Sequence, residues 1–243
     1  RSHEDNYPPD LGDIPIVTGQ RTSYTTPQDV DRQVSASLSS GQSLYTLDED
    51  RIRELRPDVI LTQDICSVCA IDLVTVQRLA MSLDPRPEII SLDPMNLGDV
   101  LHNLVQIGNA VGLEREAAAA VGNLKARIAH ARSTAEKAVS ASGGLRPNVA
   151  FVEWPSPLYV GGHWTPQLLR LAGATHPLNP APSDDEGAGK SFAVEMRALV
   201  DSAPDCLIVA PCGLDLATTR KEVKQCLQKE TLWFELDAVR TTY

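Results

Sequence analysis

No stretch of 18 apolar residues occurs in the 243-residue chain, so no segment reads as a bilayer-spanning helix. The opening Arg1-Ser2-His3-Glu4-Asp5 is polar and holds no apolar signal-peptide core, which leaves the compartment open. Cysteine is scarce. Five are too few to build a disulfide scaffold, and an odd number leaves at least one thiol unpaired or metal-bound. Positive charge is short as well: 22 Lys+Arg against 32 Asp+Glu gives 22 − 32 = −10, with no basic stripe to offset it. That field repels a phosphate backbone and excludes nucleic acid as a partner. Neither a GxSxG elbow nor an HExxH helix is present, and no nucleophile, base and orienting group assemble from the pattern. These absences argue for a binder over an enzyme.

What is there suits a folded protein. A hydrophobic fraction of 42% with mean hydropathy −0.16 excludes collagen, a coiled-coil rod and a mainly disordered chain. The length allows one large domain or two lobes. Short β-rich apolar runs recur at Ile14–Thr18, Asp58–Thr62, Glu88–Leu92, Val149–Glu153 and Asp205–Ala210, each followed by a helical pattern such as Asp48–Leu55 or Thr165–Ala172. Val59-Ile60-Leu61 and Leu207-Ile208-Val209 are continuously apolar, as strands covered on both faces are. The alternation predicts an α/β fold with parallel strands and right-handed crossovers.

The middle of the chain lacks strand signals. From Asn96 to about Ala141 it carries an apolar stripe, Val100, Leu104, Ile107 and Val111, then after Gly112 Val121, Leu124, Ile128, Ala131 and Ala135. Roughly 30 residues of helix after Gly112 would reach about 45 Å. The spacing predicts a long connecting helix (96–143) between two α/β lobes, 1–95 and 144–243, with a single large sheet as the alternative. Asn179–Lys190, rich in Pro, Asp and Gly, is read as a surface loop.

Ligands of open parallel sheets bind beyond the carboxyl ends of the strands. The segments that follow the predicted strands are Gln63-Asp64 with Cys66 and Cys69, Asp93-Pro94, Trp154–Trp164, and Pro211-Cys212-Gly213. Only 11 residues are aromatic, yet Phe151, Trp154, Tyr159 and Trp164 fall within fourteen positions, with His163 beside the last. Broken by Pro155, Pro157, Gly161 and Gly162, that segment is expected to form an aromatic ligand-contacting loop rather than a strand face. The plainer alternative has Trp154 capping the core and Trp164 starting a helix.

Cys66-Ser67-Val68-Cys69 is a lone CxxC, open to three readings: a structural or disulfide pair, a metal or cofactor contact, or redox catalysis. A zinc site would need two more ligands, for which His163 and Cys212 are candidates. Gly187-Ala188-Gly189-Lys190-Ser191 fails as a phosphate loop. The first Walker glycine position is Asp184, no strand precedes it, and Asp184-Asp185-Glu186 would repel phosphate. His102 and His130 read as surface or packing residues of the long helix, and His176 as a loop residue without an obvious partner.

Several segments together resemble the helical-backbone periplasmic solute-binding proteins of ABC importers, in the cobalamin and iron–siderophore branch. They are Ser2-His3-Glu4-Asp5 with Tyr7-Pro8-Pro9, Ser43-Leu44-Tyr45, and Leu55 to Asp64 running into Cys66–Cys69. In the second half they are Glu153-Trp154-Pro155, Gly161 to Pro166, and Pro211 to Leu216. The resemblance covers nearly the whole chain. It implies two Rossmann-like lobes joined by a backbone helix, with a ligand held in the interlobe cleft. Carried over by position, Tyr45, Gln63, Asp64, Trp154, Tyr159, His163, Trp164 and Cys212 would contact the ligand. Cys66, Cys69 and His163 are the candidate metal contacts. A corrinoid or metal chelate, mostly apolar and edged with polar groups, suits aromatic faces, and imidazole or thiolate suits a central metal.

The resemblance also implies an extracytoplasmic monomer that docks on an ABC permease through an acidic residue on each lobe, here Asp72 and Glu195. Arg197 and Ala198 stand about where the second glutamate is expected. A further strand and helix ahead of Ser2-His3-Glu4, and another pair after Trp233, are implied but not contained in residues 1–243, so a truncated or remodelled member is expected. No covalently bound cofactor is expected. Two other functions stay open: a ligand-free interaction homologue of the fold, and a Cys/His metal or redox protein.

Overall fold

A computed structural model describes residues 1–5, 7–63 and 71–240. The chain divides into two compact units. One comprises residues 1–25, 29–93 and 105–117, the other 26–28, 94–104 and 118 onward.

In the first unit, β1 (Thr18–Gln20), α1 (Pro27–Ser39), β2 (Tyr45–Leu47), α2 (Glu49–Leu55), β3 (Val59–Thr62), α3 (Leu73–Met81) and β4 (Glu88–Ser91) follow in order. Local chemistry sets the helix ends. Asp48 caps α2 by accepting the Arg51 N–H at 3.0 Å, and Glu49 and Asp50 stabilise its positive end. Pro57 cannot prolong α2, so the chain leaves it through Arg56 at φ 47°. α3 turns Val76, Leu79 and Ala80, spaced three and four apart, into the interior. β3 and β4 pair in parallel with Val59 opposite Glu88, the predicted crossover unit. β1 and β2 pair antiparallel, against the all-parallel expectation. The Ile14–Thr18 run is not a strand either: Pro15 supplies no N–H, Ile14 and Ile16 are each 48% exposed, and pairing begins only at Thr18.

The connecting region is two helices, α4 (Leu97–Ala110) and α5 (Glu114–Ala141). The stripe hides a break at Gly112, whose φ is 70°, a conformation open to glycine at little cost. Gly108 lets the two helices meet, since a Cβ there would collide with the Ala117 Cβ. α5 alone, at 28 residues, is about 42 Å long. His102 and His130 are exposed on these helices, as read from the spacing. None of the helices among the described residues is long and apolar enough to cross a membrane.

The second unit is built on a four-stranded sheet of order β7-β6-β5-β8, from β5 (Val149–Pro155), β6 (Leu158–Val160), β7 (Phe192–Ala193) and β8 (Cys206–Val209). β5 and β8 are parallel, while the β5–β6 and β6–β7 pairs are antiparallel. Helices α6 (Thr165–Leu171), α7 (Met196–Asp201), α8 (Leu216–Glu222) and α9 (Asp237–Arg240) complete it. Alternate residues Ala150 and Val152 of β5 enter a core with Leu158, Leu199, Leu227, Trp233 and Leu236. Trp154 therefore lies on a strand that turns back at Ser156-Pro157, and the expected irregular aromatic loop is a hairpin. Cross-strand pairing overrides the prolines because Pro155 and Pro157 sit at its end.

Candidate functional site

The parallel pairs decide which residues reach strand ends. In the second unit, β5 and β8 run side by side to Val152 and Val209, and beyond them the Ala210 N–H donates to the Val152 carbonyl at 2.9 Å. The Cys212 N–H donates to the Glu153 carbonyl at 3.3 Å, so exposed Cys212 and half-buried Trp154 emerge from neighbouring carboxyl ends. Trp154 is the register partner of Tyr159, and its indole N–H donates to the Pro27 carbonyl at 3.3 Å. Trp164 starts α6, as the plainer reading had it, and its ring lies 6.0 Å from that of His163, tilted by 41°.

His163 is held in an uncommon conformation, φ 53°. The loop at Asn179–Lys190 supplies the restraint. The His163 N–H donates to the Gly189 carbonyl at 3.0 Å, and its own carbonyl accepts the Ala188 N–H at 2.7 Å. Its Nε2 is buried with no hydrogen-bond partner. This loop is not merely a surface one: Asn179, Ala181 and Ala188 are buried. The Asn179 amide donates to the carbonyls of Gly161, Gly189 and Lys190. Asp184, which argued against phosphate in the sequence, takes Arg132 and Arg170 on separate oxygens at 2.7 Å each, a pinned geometry. Gln167, buried on α6, donates to the Asp184 carbonyl and accepts the Leu97 N–H. The loop thus positions His163 through backbone contacts that no motif announces.

His176 also differs from its reading as a partnerless loop residue. It is 2% exposed, and its Nδ1 lies 3.0 Å from the Val149 carbonyl. Burial pushes its pKa below the ordinary histidine value, with the backbone carbonyls of Val149 and Gly161 opposing.

In the first unit, Tyr45 stacks obliquely on His3 at 5.9 Å. His3 Nδ1 lies 2.8 Å from the Thr18 hydroxyl, which the Ser2 hydroxyl also meets at 3.1 Å, while His3 Nε2 is buried and unpartnered. Sequence reasoning used Ser2-His3 only as part of a resemblance; an adjacent serine and histidine was the available signal. Tyr45 and exposed Gln63 border a hollow of about 600 Å³ contained in this unit. Asp72 caps α3, accepting the Thr75 N–H and hydroxyl at 2.8 Å each, and Glu195 is exposed at the start of α7. Asp64, Cys66 and Cys69 lie outside the described residues. Among the described residues no three His, Cys, Asp or Glu side chains gather as a metal site.

A family model described as periplasmic binding protein matches residues 5–243. A comparison with curated proteins found no match. Among solved structures, the periplasmic heme-binding protein RhuT from Roseiflexus sp. RS-1 aligns with TM-score 0.60 at 19% identity, covering 81% of this chain and 69% of that one. The periplasmic vitamin B12 binding protein BtuF of Vibrio cholerae aligns with TM-score 0.54 at 14% identity, over 81% and 67%. The Fe3+-Desferal-bound siderophore-binding protein FhuD, also of Vibrio cholerae, aligns with TM-score 0.54 at 19% identity, over 80% and 67%.

Proposed function

The chain belongs to the periplasmic binding protein family, and from that premise we propose that it captures a corrinoid or iron-chelate solute for import by an ABC permease. The observation that carries the reading is at the carboxyl end of β5. There Trp154 is paired with Tyr159, and the chain continues through β6 to His163, whose Nε2 is buried without a partner. Such a group supplies flat apolar faces and one nitrogen lone pair, the chemistry that a tetrapyrrole or an aromatic metal chelate requires. The printed ligands of the structural relatives, heme, vitamin B12 and Fe3+-Desferal, are of this kind. The family binds solutes outside the cytoplasm, and no turnover is assigned to this chain. Exposed Glu195 and the residual carboxylate face of Asp72 are the acidic groups for permease docking.

Calorimetric titration with cyanocobalamin, hemin and ferrioxamine B tests the proposal. One-to-one binding of one of them is expected, weakened by roughly 1–3 kcal/mol in Trp154→Ala, the value of a large aromatic contact. No heat and no thermal shift with any of the three would refute it.

A further inference from the structure

The first unit contains two sheets of two strands each, and the register of the second leaves an edge open. The Glu88 N–H donates to the Asp58 carbonyl at 2.9 Å, and the Leu92 N–H to the Thr62 carbonyl at 2.8 Å. Backbone groups of successive residues face opposite edges of a strand, so Asp58, Ile60 and Thr62 address β4. Val59 and Leu61 point their N–H and C=O the other way, where among the described residues no strand receives them. Leu61 is 46% exposed. An apolar, unprotected edge of this kind is a template for an added strand.

The hollow of about 600 Å³ runs along this edge from Pro57 to Gln63. Its opposite wall is β2, through Tyr45 and Leu47, and its base is apolar, from Ile52, Leu55, Val76 and Leu79. Being recessed between β2 and β3, it admits one extended chain but not the sheet edge of a second folded copy, which brings its own helices. A small apolar solute would fill the volume and still leave the Val59 and Leu61 backbone groups unpaired, a loss that a strand avoids. The solved relatives also carry chain without a counterpart here: RhuT is matched over 69% of its length by 81% of this chain.

We propose that an extended apolar segment of the same polypeptide, outside residues 1–243, pairs with the β3 edge and joins β2 and β3 into one sheet. This stands whichever solute the protein binds. Hydrogen exchange tests it on two samples, residues 1–243 and the polypeptide isolated from its natural source. The isolated polypeptide is expected to exceed 26.3 kDa in intact mass. Its Val59 and Leu61 amides are expected to exchange slower by on the order of a hundredfold than in residues 1–243. Leu61→Asp should lower Tm in the longer polypeptide and leave it unchanged in residues 1–243; if that variant does not fold, the wild-type exchange comparison decides. A source polypeptide of 26.3 kDa, equal exchange in the two samples, or protection that depends on a separate chain would overturn the proposal.

Discussion

Replacing Gly162 by alanine tests how the His163 conformation is held. A Cβ at Gly162 would run into the Ser191 backbone nitrogen and come to 2.7 Å from the Lys190 carbonyl carbon and 2.8 Å from the Gly189 oxygen. All three are backbone atoms, so relief requires the 187–191 segment to move. Overpacking of this type costs about 1–3 kcal/mol. Moving the segment also strains the two backbone hydrogen bonds of His163, each worth about 1 kcal/mol. A loss near 3 kcal/mol is expected, which lowers Tm by about 6–12 °C in a protein of this size. Thermal unfolding followed by circular dichroism measures it. Gly122→Ala is the internal control. It lies in α5 with nothing within 4 Å of a new Cβ, and alanine there should stabilise by up to about 1 kcal/mol. If Gly162→Ala melts within a degree of the parent, the packing of this loop is not what holds His163, and the argument fails.

Two further outcomes follow from single residues. His176 is neutral when folded, because burial lowers its pKa below the unfolded value of about 6.5. The unfolded chain then binds more protons, so this contribution to stability is complete above that pH and is lost as pH falls through 6.5 toward the folded pKa. The stability gap between the parent and His176→Gln should therefore shrink from pH 7.5 to 5.5, as read by denaturant unfolding at both pH values; a constant gap contradicts the assignment. Asp72→Ala removes the α3 cap and should cost about 1 kcal/mol, or 2–4 °C in Tm, and an unaltered melting curve would count against the capping role.

Much of the architecture was legible because it rests on local signals. The apolar run at Val59-Ile60-Leu61, the helix spacing after Asp48, and the stripe from Val121 to Ile128 each need only a few adjacent residues. The carboxyl-end rule pointed to Trp154 and Cys212 correctly as strand-end residues, since β5 and β8 are parallel. The failures have a common cause in pairing between distant segments. β2 has no strong apolar run, yet Tyr45-Thr46-Leu47 is a strand because Thr18–Gln20 pairs with it. Trp154 was expected in a loop and is in a hairpin because Leu158–Val160 folds back on β5. Prolines at 155 and 157 read as breakers, and their place at the hairpin end could not be judged without the partner strand.

The same division separates function from its supports. Residue type and order alone excluded a nucleic-acid binder and a spanning helix, pointed to α/β architecture, and placed Trp154, His163 and Trp164 within eleven positions, since charge, hydropathy and adjacency are properties of the chain itself. What held His163 at φ 53°, buried its Nε2 and paired Asp184 with two arginines depended on segments brought together from afar. Those contacts come from backbone hydrogen bonds and ion pairs between the 179–190 loop, α5 and α6, and such interactions carry no sequence periodicity. They exist only once the chain has folded.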